Sequence, residues 1–407
     1  IGSNTLNVAG SLSTTSGTGI LDMSSNGTMT VQLNATFDGG NETGRLSAGE
    51  LRVGGNFLQN QPCGYGNSAN FHAAGTHTLI LNGAASQSVQ FNCPASSHVR
   101  DLVVDGAGAT LASNIVIDGL ATLTTGNFVG SGRLATITGG LNDTALRWKV
   151  SSTTFTTTPT VLPDSMQSAI TFVGTVTLPH DFKVLGDLDI GAGSNVVVGA
   201  HQLTTTGSLR TLGGSGVLTM SDPAAMVVVG GDALFDGGTE TTLLTAGTRC
   251  VAGSFTQNQP CGYGNSANFN ATGSHRTILD GSAASTVRFN CPSASAFQNL
   301  LITNSAGVAF QTGFTVHDTT SVAASAGDIT GATLPTLGGP LIDPGNHWRI
   351  GSILLLSSAS ITPSDSLPRG SASGTHRTVL VAGLIVDVEG ALNLLTASVL
   401  NNGGTLK

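Results

Sequence analysis

The chain has 407 residues and a formal net charge of −8 at pH 7, and only 9% of its residues are charged. Only 15 residues are Lys or Arg, and they are scattered, which excludes the basic patch that a nucleic-acid-binding protein needs. The hydrophobic fraction of 39% argues against a disordered chain. No apolar run approaches the roughly 18 residues of a membrane-spanning helix, so no membrane span is expected.

Short segments in which apolar residues alternate with other residues, followed by Gly, recur along the chain. In chain order they are Leu6–Gly10, Leu51–Gly55, Leu79–Gly83, Leu102–Gly106, Ile115–Gly119, Val184–Gly191 and Val227–Gly231. Alternation with a period of two is typical of strands that bury one face. The Gly, Asn-Gly and Asp-Gly positions that follow predict turns. Helical spacing is nearly absent, so the sequence predicts an all-β fold.

One segment interrupts this rhythm. Gln59–Phe71 reads QNQPCGYGNSANF, and its Pro, Cys, Asn and Gly residues predict a loop. It carries Tyr65, one of only two tyrosines in the chain. Two interpretations remain open: the loop packs over a hydrophobic edge, or it is a contact surface for a neighbour or ligand, with Tyr65 and Asn67 as contact residues.

The same 13 residues return at Gln257–Phe269, 198 positions later, with Tyr263 and Asn265 in place of Tyr65 and Asn67. The likeness extends far beyond this segment; for example, Leu6–Met23 matches Leu203–Met220. The chain is therefore a tandem duplication. We expect two units, 1–197 and 198–407, that continue into each other without a linker.

The tail from Ala391 resembles Asp187–Thr204, so the chain stops at nearly the same point of its repeat as it starts. From this we expect either a piece of a longer array or copies that join end to end. The uninterrupted rhythm and the small β-branched side chains favour a β-solenoid, a parallel β-helix-like rod built from two tandem repeats of about 200 residues, with coils of roughly 20–30 residues. The alternative is a string of β-sandwich domains.

Four of the five cysteines form a repeated pattern. Cys63 and Cys93 recur as Cys261 and Cys291, with the same spacing in both copies. Their retention in both copies predicts one disulfide within each unit, with reduced buried thiols as the alternative. The spacing does not match a zinc ligand set. Disulfides imply an oxidising compartment. Cys250 has no cysteine counterpart and is expected to be a free or buried thiol.

The carboxylates in the repeated motif FDGGxET are the weak candidates for a metal site. They are Asp38, Glu42, Asp236 and Glu240. Paired acids beside Gly can bind Ca²⁺ through oxygen ligands, but two carboxylates fall short of a full site, and Asp-Gly-Gly is first of all a turn. We favour the turn and expect no metal and no cofactor.

Histidine and tryptophan also repeat. His77 and His275 are expected to hydrogen-bond a turn, because no nearby Ser or Asp repeats in both copies as a partner for a catalytic triad. Trp148 and Trp348 are expected to plug the core locally, and stacking on a sugar is the sharper alternative.

The pattern F-x-A-x-G-T-H-T-x-x-L-N-G-x-A-x-Q-x-V-x-F at Phe71–Phe91, followed by D-L-x-V at Asp101, resembles repeats of large bacterial surface proteins. These are adhesins of the filamentous-haemagglutinin and autotransporter type. The resemblance implies export, a repetitive β-rod and a role in attachment or matrix, and it supplies no catalytic residues.

We therefore expect a secreted bacterial structural or adhesive β-rod, extracellular or at the cell surface. It would form a fibre or filament by head-to-tail continuation of the solenoid, with other copies of itself as the main partner and surface glycans as a second partner. We do not expect it to be an enzyme. The alternative is a carbohydrate-active or carbohydrate-binding β-helix, because parallel β-helices also host polysaccharide lyases and hydrolases.

Overall fold

The computed structural model describes residues 1–331, 335–345 and 347–350, and beyond these only the backbone of six strands. The chain divides into two compact units. The first comprises Ile1–Val176 and Lys183–Gly186, and the second comprises Thr177–Phe182 and Asp187–Lys407. The part that the structure describes is made of strands and turns and contains no helix. The tail whose sequence resembles Asp187–Thr204 lies outside the residues with described side chains.

The first unit contains 17 strands that lie wholly within it. They are β1 (Thr5–Val8), β2 (Leu12–Thr14), β3 (Thr28–Val31), β4 (Ala35–Phe37), β5 (Glu50–Val53), β6 (Phe57–Gln59), β7 (Thr78–Leu81), β8 (Gln87–Phe91), β9 (Asp101–Val104), β10 (Ala109–Leu111), β11 (Ile115–Ile117), β12 (Leu120–Leu123), β13 (Phe128–Ile137), β14 (Gly140–Asn142), β15 (Trp148–Phe155), β16 (Ser165–Met166) and β17 (Ala169–Phe172). Two further strands, β18 (Thr175–Thr177) and β19 (Phe182–Val184), contain residues of both units.

The strands of the second unit follow in chain order. Those in the part with described side chains are β20 (Leu188–Ile190), β21 (Asn195–Val197), β22 (Gln202–Thr205), β23 (Leu209–Thr211), β24 (Val217–Thr219), β25 (Met226–Val229), β26 (Ala233–Phe235), β27 (Thr248–Val251), β28 (Phe255–Gln257), β29 (Arg276–Leu279), β30 (Ser285–Phe289), β31 (Asn299–Ile302), β32 (Val308–Phe310), β33 (Thr315–Val316), β34 (Thr320–Val322), β35 (Ile329–Gly331), β36 (Thr336–Leu337) and β37 (Leu341–Asp343). The six strands described by backbone alone are β38 (Ser352–Leu355), β39 (Ser360–Pro363), β40 (Arg377–Ala382), β41 (Ile385–Val388), β42 (Ala397–Asn402) and β43 (Thr405–Leu406).

In the first unit most coils contribute one strand to each of two sheets. The first sheet has the order β1-β3-β5-β7-β9-β12-β14, and the second runs β2-β4-β6-β8-β10-β13-β15-β17. A third side of the coil is marked by single bridges such as Met23 to Leu46 and Leu46 to Ala73. All the pairings described are parallel, as Thr5 opposite Thr28 illustrates, and the register shifts within the pairing of β13 with β15, between Gly130 and Leu134. Strands that pair with their counterparts in the next coil define a β-solenoid.

The second unit repeats this arrangement. One sheet runs β22-β25-β27-β29-β31-β34-β37, and the other runs β20-β23-β26-β28-β30-β32-β35. The prediction of an all-β solenoid is thereby confirmed, and about 15 turns are described in all. The alternative of β-sandwich domains is wrong, because sandwiches are assembled from antiparallel sheets.

The register shows which coil carries the inserted segment. In the first unit Thr5 lies opposite Thr28, Thr28 opposite Glu50, Glu50 opposite Thr78 and Thr78 opposite Asp101. The step from Glu50 to Thr78 is the longest of the four, and the other three are nearly equal. This long coil is the one that contains the segment Gln59–Phe71.

The second unit shows the same sequence of steps. Gln202 lies opposite Met226, Met226 opposite Thr248, Thr248 opposite Arg276 and Arg276 opposite Asn299. The step from Thr248 to Arg276 is again the longest, and it spans as many positions as the step from Glu50 to Thr78. The longer loop is thus an insertion at the same coil of both units.

The interior is filled by the alternating apolar positions. Three-residue strands such as β4 and β6 bury their first and last residues and leave the middle residue half-exposed. Phe37, Phe57 and Phe91 follow one another from coil to coil, with ring centroids 5.5 Å and 5.3 Å apart, and Phe71 packs 4.8 Å from both Phe37 and Phe57. Burial of such a ring contributes roughly 2–3 kcal/mol, so the coils cohere through these stacks as well as through backbone hydrogen bonds.

Candidate functional site

The inserted loop begins where β6 ends, at a glutamine that faces inward. Gln59 lies in the ladder between Phe37 of β4 and Phe91 of β8, and its side chain is fully buried. The chain leaves the coil after this residue and returns at Phe71, which is also fully buried. A polar side chain at such a position must find hydrogen-bond partners, because an unpaired buried amide costs roughly 1–3 kcal/mol.

Gln59 finds those partners in the loop and in the following coil. Its Nε2 donates to the carbonyl oxygen of Gln61 (2.7 Å) and to Oδ1 of Asn70 (2.8 Å), and its Oε1 accepts a hydrogen bond from the backbone N–H of Cys93 (2.8 Å). Asn70 Nδ2 in turn donates to the carbonyl oxygen of Phe37 (2.7 Å). The two ends of the loop are therefore joined to each other, to the preceding coil through Phe37 and to the following coil through Cys93.

The second unit contains the same network. Gln257 Nε2 donates to the carbonyl oxygen of Gln259 (2.7 Å) and to Asn268 Oδ1 (2.8 Å), and its Oε1 accepts from the N–H of Cys291 (2.7 Å). Asn268 Nδ2 donates to the carbonyl oxygen of Phe235 (2.6 Å). Corresponding distances in the two units are nearly equal, so the identical sequences hold identical loops.

Both predicted disulfides are present. Cys63 is bonded to Cys93, and Cys261 to Cys291, with Cα atoms 4.7 Å and 4.8 Å apart. Each bond ties the loop to the coil that follows it, as expected from the repeated spacing. Cys250 is a free, half-buried thiol whose pKa is raised, mainly by burial.

The predicted contact residues separate into two kinds. Asn67 anchors the loop, because its Nδ2 donates to the carbonyl oxygen of Gly39 (2.8 Å), and Asn265 does the same toward Gly237 (2.9 Å). This approach depends on close backbone packing under the loop, since a Cβ atom on Gly39 would lie 1.8 Å from the carbonyl oxygen of Gly19. The two asparagines therefore fix the position of the loop.

The tyrosines have no such role. Tyr65 is 63% exposed and Tyr263 is 65% exposed, whereas most aromatic residues of the described chain are buried. Only the backbone of Tyr65 takes part in the loop, where its carbonyl oxygen accepts a hydrogen bond from the N–H of Ser68 (3.0 Å). The loop thus projects one aromatic ring into solvent from a rigid base in each unit.

The four candidate calcium carboxylates also divide into two kinds. Asp38 Oδ1 accepts a hydrogen bond from Gln61 Nε2 (2.6 Å), and Asp236 Oδ1 accepts one from Gln259 Nε2 (2.7 Å), so these residues brace the loop. Glu42 and Glu240 instead lie in the interior. Among the described residues no group of three or more His, Cys, Asp or Glu side chains could hold a metal ion.

Glu42 is fully buried, and its Oε1 accepts the backbone N–H of Leu21 (2.8 Å), while its Oε2 has no partner among the described residues. Burial raises the pKa of Glu42 to about 8. A carboxyl group with such a pKa is largely protonated at neutral pH, whereas Ca²⁺ prefers ionised carboxylates. Glu42 therefore acts as a buried polar group of the core.

His77 is likewise fully buried, and neither ring nitrogen has a hydrogen-bond partner in the described part of the chain. The expectation that this ring hydrogen-bonds a turn is wrong, because the ring packs edge-on against Phe71, 6.0 Å between centroids. Burial lowers the pKa of His77 to about 4. His275 occupies the same place in the second unit, with its ring 6.3 Å from Phe269.

At one of the positions where the two interiors differ, the second unit has a buried charge, which sequence reasoning missed. Leu51 is buried in the first unit, and 198 positions later Arg249 is fully buried in the second. Its guanidinium carbon lies 4.7 Å from the Phe235 ring centre and 5.2 Å from that of Phe269, and Nη2 lies 3.6 Å from the sulfur of Met220. Nε and Nη1 have no partner among the described residues.

Arg249 changes the electrostatics of the second interior. Burial lowers the pKa of Arg249 to about 10, against the opposing effect of Glu240. Burial also raises the pKa of Glu240 to about 8, which the charge of Arg249 moderates. The pKa of His275 is well below its usual value, because of burial first and Arg249 second.

The tryptophans are both buried, at 1% exposure, so they plug the core as expected and present no face for sugar stacking. Trp148 stacks on Phe128 at 5.1 Å, and its indole N–H donates to Thr153 Oγ1 (2.9 Å). The backbone N–H of Trp148 is capped by Asp143 Oδ2 (2.8 Å), and Asp343 caps Trp348 in the same way.

Comparison of the chain with protein family models, with curated proteins and with solved structures gives no match. In the described part of the chain, no helix is long and apolar enough to cross a membrane. The adhesin resemblance thus rests on the residues of the repeat alone, and a functional conclusion must come from the geometry above.

Proposed function

We propose that this chain is a secreted, non-enzymatic β-solenoid with a structural and adhesive role, part of a bacterial cell-surface fibre or extracellular filament. The observation that carries the proposal is the contrast between interior and surface. The interior is filled by stacked rings and aliphatic residues, and the loop that both units share projects a single exposed tyrosine from a braced, disulfide-linked base. Such a molecule provides length and rigidity together with a repeated contact group.

The stacking of coils supports a mechanical role. Every strand in the middle of a sheet hydrogen-bonds to two neighbouring coils, so that local opening must break contacts on both sides. The carboxylates of the repeated motif FDGGxET are buried or engaged in bracing the loop, as for Glu42 and Asp38.

The two disulfides support export, because such bonds persist in oxidising compartments. The repeat pattern at Phe71–Phe91 supports the adhesin-like assignment, since it resembles repeats of bacterial surface proteins. Both arguments point to the outside of the cell.

Self-association is the expected mode of assembly. Neighbouring coils of this chain already join by parallel strand pairing, as β3 joins β5 with Thr28 opposite Glu50. A coil of a second copy has the same repeat and can pair by the same backbone hydrogen bonds.

Electron microscopy of the purified chain across a wide range of protein and salt concentrations tests this proposal. We expect filaments whose amount increases with protein concentration. Monodisperse monomers under all conditions would contradict filament formation by the chain alone.

A carbohydrate-active enzyme is the competing function. The exposed tyrosines favour it as an alternative, because an exposed aromatic ring can stack on a sugar. A screen for reducing ends released from polysaccharides separates the two. Turnover that disappears on substitution of one Asp or Glu would defeat the non-enzymatic proposal, and the absence of release on substrates that the chain binds supports it.

A further inference from the structure

The tip of the inserted loop contains residues that the fold does not need. Gln59, Asn67 and Asn70 form the bonds that hold the loop, and Gly64 has a φ of +91°, which favours glycine. Gly66 has no such requirement, and a Cβ atom there would meet no atom within 4 Å. The side chain of Tyr65 is 63% exposed. Folding therefore explains most of the loop sequence but neither Tyr65 nor Gly66.

Yet both residues are identical in the second unit, as Tyr263 and Gly264. The flanking positions have diverged freely: of the nine residues before the loop, 50–58, six differ from 248–256. Among these changes is Leu51 to Arg249, which replaces an aliphatic core residue by a buried charge. Identity at an exposed tip, beside change in the core, indicates that the tip contacts something outside the chain.

The chemistry of the tip defines the partner. The 13 residues contain no Asp, Glu, Lys, Arg or His, and the exposed residues beside Tyr65 are Pro62, the disulfide-bonded Cys63 and the two glycines. Amide side chains lie at the base of the loop, where Asn92 Nδ2 donates a hydrogen bond to the carbonyl oxygen of Asn60 (2.8 Å). Tyrosine with Gly, Ser and Asn is the composition of recognition loops, in which the ring supplies a rigid amphipathic face.

A neutral carbohydrate fits this surface better than a protein does. A stable protein interface buries about 800 Å² per partner around a cluster of anchors, whereas each loop offers one ring. A single ring suffices to stack against the apolar face of a pyranose, with amides and backbone groups for its hydroxyls. The absence of charge in the loop gives no attraction for an anionic polymer.

We propose that the Tyr65 and Tyr263 loops are two equivalent binding sites for an uncharged polysaccharide. This inference rests on the adhesive part of the proposed function and does not depend on filament formation. Two sites on one chain strengthen retention on a repetitive polymer, because the second contact forms at a high effective concentration.

The test is retention of the full chain on immobilised polysaccharides: cellulose, chitin, β-1,3-glucan and galactomannan as neutral probes, and alginate and heparin as anionic ones. The variants are Tyr65→Ala, Tyr263→Ala and the double substitution. The control is Leu33→Ala, which removes another exposed apolar side chain (55%) from a different turn, between β3 and β4. Mapping of both disulfides and the melting temperature establish that each variant is folded.

We expect retention on at least one neutral probe, a loss of roughly tenfold or more in the double variant, a smaller loss in each single variant, and no change for Leu33→Ala. Equal retention of the double variant, retention on anionic probes alone, or no retention on any neutral probe overturns the inference. The same samples are assayed for reducing ends. Release of sugar by a chain that still needs the tyrosines would refute the non-enzymatic proposal while leaving the binding sites in place.

Discussion

The guanidinium carbon of Arg249 lies 4.7 Å from the centre of the Phe235 ring, in the interior of the second unit and fully buried. At the corresponding position of the first unit stands Leu51, which is also fully buried. The duplication therefore contains its own comparison between a charged and an aliphatic residue in nearly the same core.

We expect Arg249→Leu to stabilise the protein. Two guanidinium nitrogens have no partner within the described part of the chain, and replacing buried charge by a well-packed apolar residue is often worth roughly 1–4 kcal/mol. The first unit shows that Leu is compatible with the buried Glu at this place. Thermal and urea unfolding measure the change, and a lower melting temperature for Arg249→Leu contradicts this account of the interior.

The reciprocal substitution, Leu51→Arg, is the matched control. It should destabilise the first unit by roughly 3–5 kcal/mol, since it places an incompletely paired charge in the core. An unfolding free energy of Leu51→Arg similar to that of the wild type would contradict this account, because the first interior would then accept a buried charge without a cost.

Stability should depend on pH through Glu42. Its pKa is about 8 in the folded chain against 4.5 in the unfolded one, so the folded state holds the extra proton between these values. The contribution of Glu42 is fully present below pH 4.5 and is lost as the pH rises to about 8, at no more than about 1.4 kcal/mol per pH unit.

The pH dependence of stability that comes from His77 has the opposite sign to that from Glu42. Its pKa of about 4 in the folded chain lies below the ordinary 6.5, so stability from the neutral ring is lost as the pH falls from 6.5 toward 4. The slopes of these two residues cancel between about pH 4.5 and 6.5, and above 6.5 the slope of Glu42 adds to that of Glu240, whose pKa is also about 8. Unfolding midpoints across pH should therefore fall less steeply above pH 6.5 in Glu42→Gln than in the wild type, and parallel curves would contradict the buried carboxyl.

Each disulfide should stabilise the coil that carries the loop. Cross-linking two residues with a sequence separation of 30 is worth roughly 3–4 kcal/mol in the chain-entropy account. The measured loss in Cys63→Ser/Cys93→Ser should be about this large, because the unfolded chain gains the freedom while the hydrogen bond from Cys93 N–H to Gln59 Oε1 keeps the folded loop in place. Urea unfolding and limited proteolysis within the loop give the readout.

Cys261→Ser/Cys291→Ser provides the matched comparison in the second unit. Its effect should equal that of the first pair, since the same hydrogen bonds hold both loops at nearly equal distances. Unchanged midpoints and unchanged proteolysis in both double variants would mean that the disulfides carry no part of the loop's rigidity.

Gly39 should tolerate no side chain. A Cβ atom would lie 1.8 Å from the carbonyl oxygen of Gly19, a backbone atom of the preceding turn that cannot move aside. We expect Gly39→Ala to cost about 1–3 kcal/mol or more through overpacking. Gly66→Ala, in open space, should change the unfolding free energy by less than about 0.5 kcal/mol. Equal effects of the two substitutions on the melting temperature would contradict the close packing under the loop.

Local pattern predicted much of this molecule. Alternation located strands such as β5 and β7, and the repeat of Cys63 and Cys93 as Cys261 and Cys291 predicted both disulfides, because each signal is contained in a few residues or in the comparison of the two copies. The loop at Gln59–Phe71 was recognisable from its Pro, Asn and Gly content.

The interior polar residues could not be located in this way. Glu42 and His77 stand beside glycines in stretches that look like turns. Their burial depends on the path of the backbone in the folded coil, which local sequence does not show. Gln59 and Arg249 were within reach, since both occupy inward positions of an alternating strand. Alignment of the two copies pairs Leu51 with Arg249 and shows the charge in the core, but not which rings and sulfur surround it.

The parallel register of neighbouring coils is the claim on which the rest depends, and cysteine cross-linking in a Cys250→Ser background tests it most directly. In this register Thr28 lies opposite Glu50 and Thr30 opposite Arg52, all four half-exposed. Paired strands are about 4.8 Å apart, within the range that a disulfide spans. Thr28→Cys/Glu50→Cys and Thr30→Cys/Arg52→Cys should both cross-link efficiently on oxidation, and Thr28→Cys/Arg52→Cys should not. Cross-linking of only one matched pair, or of neither, would contradict the solenoid.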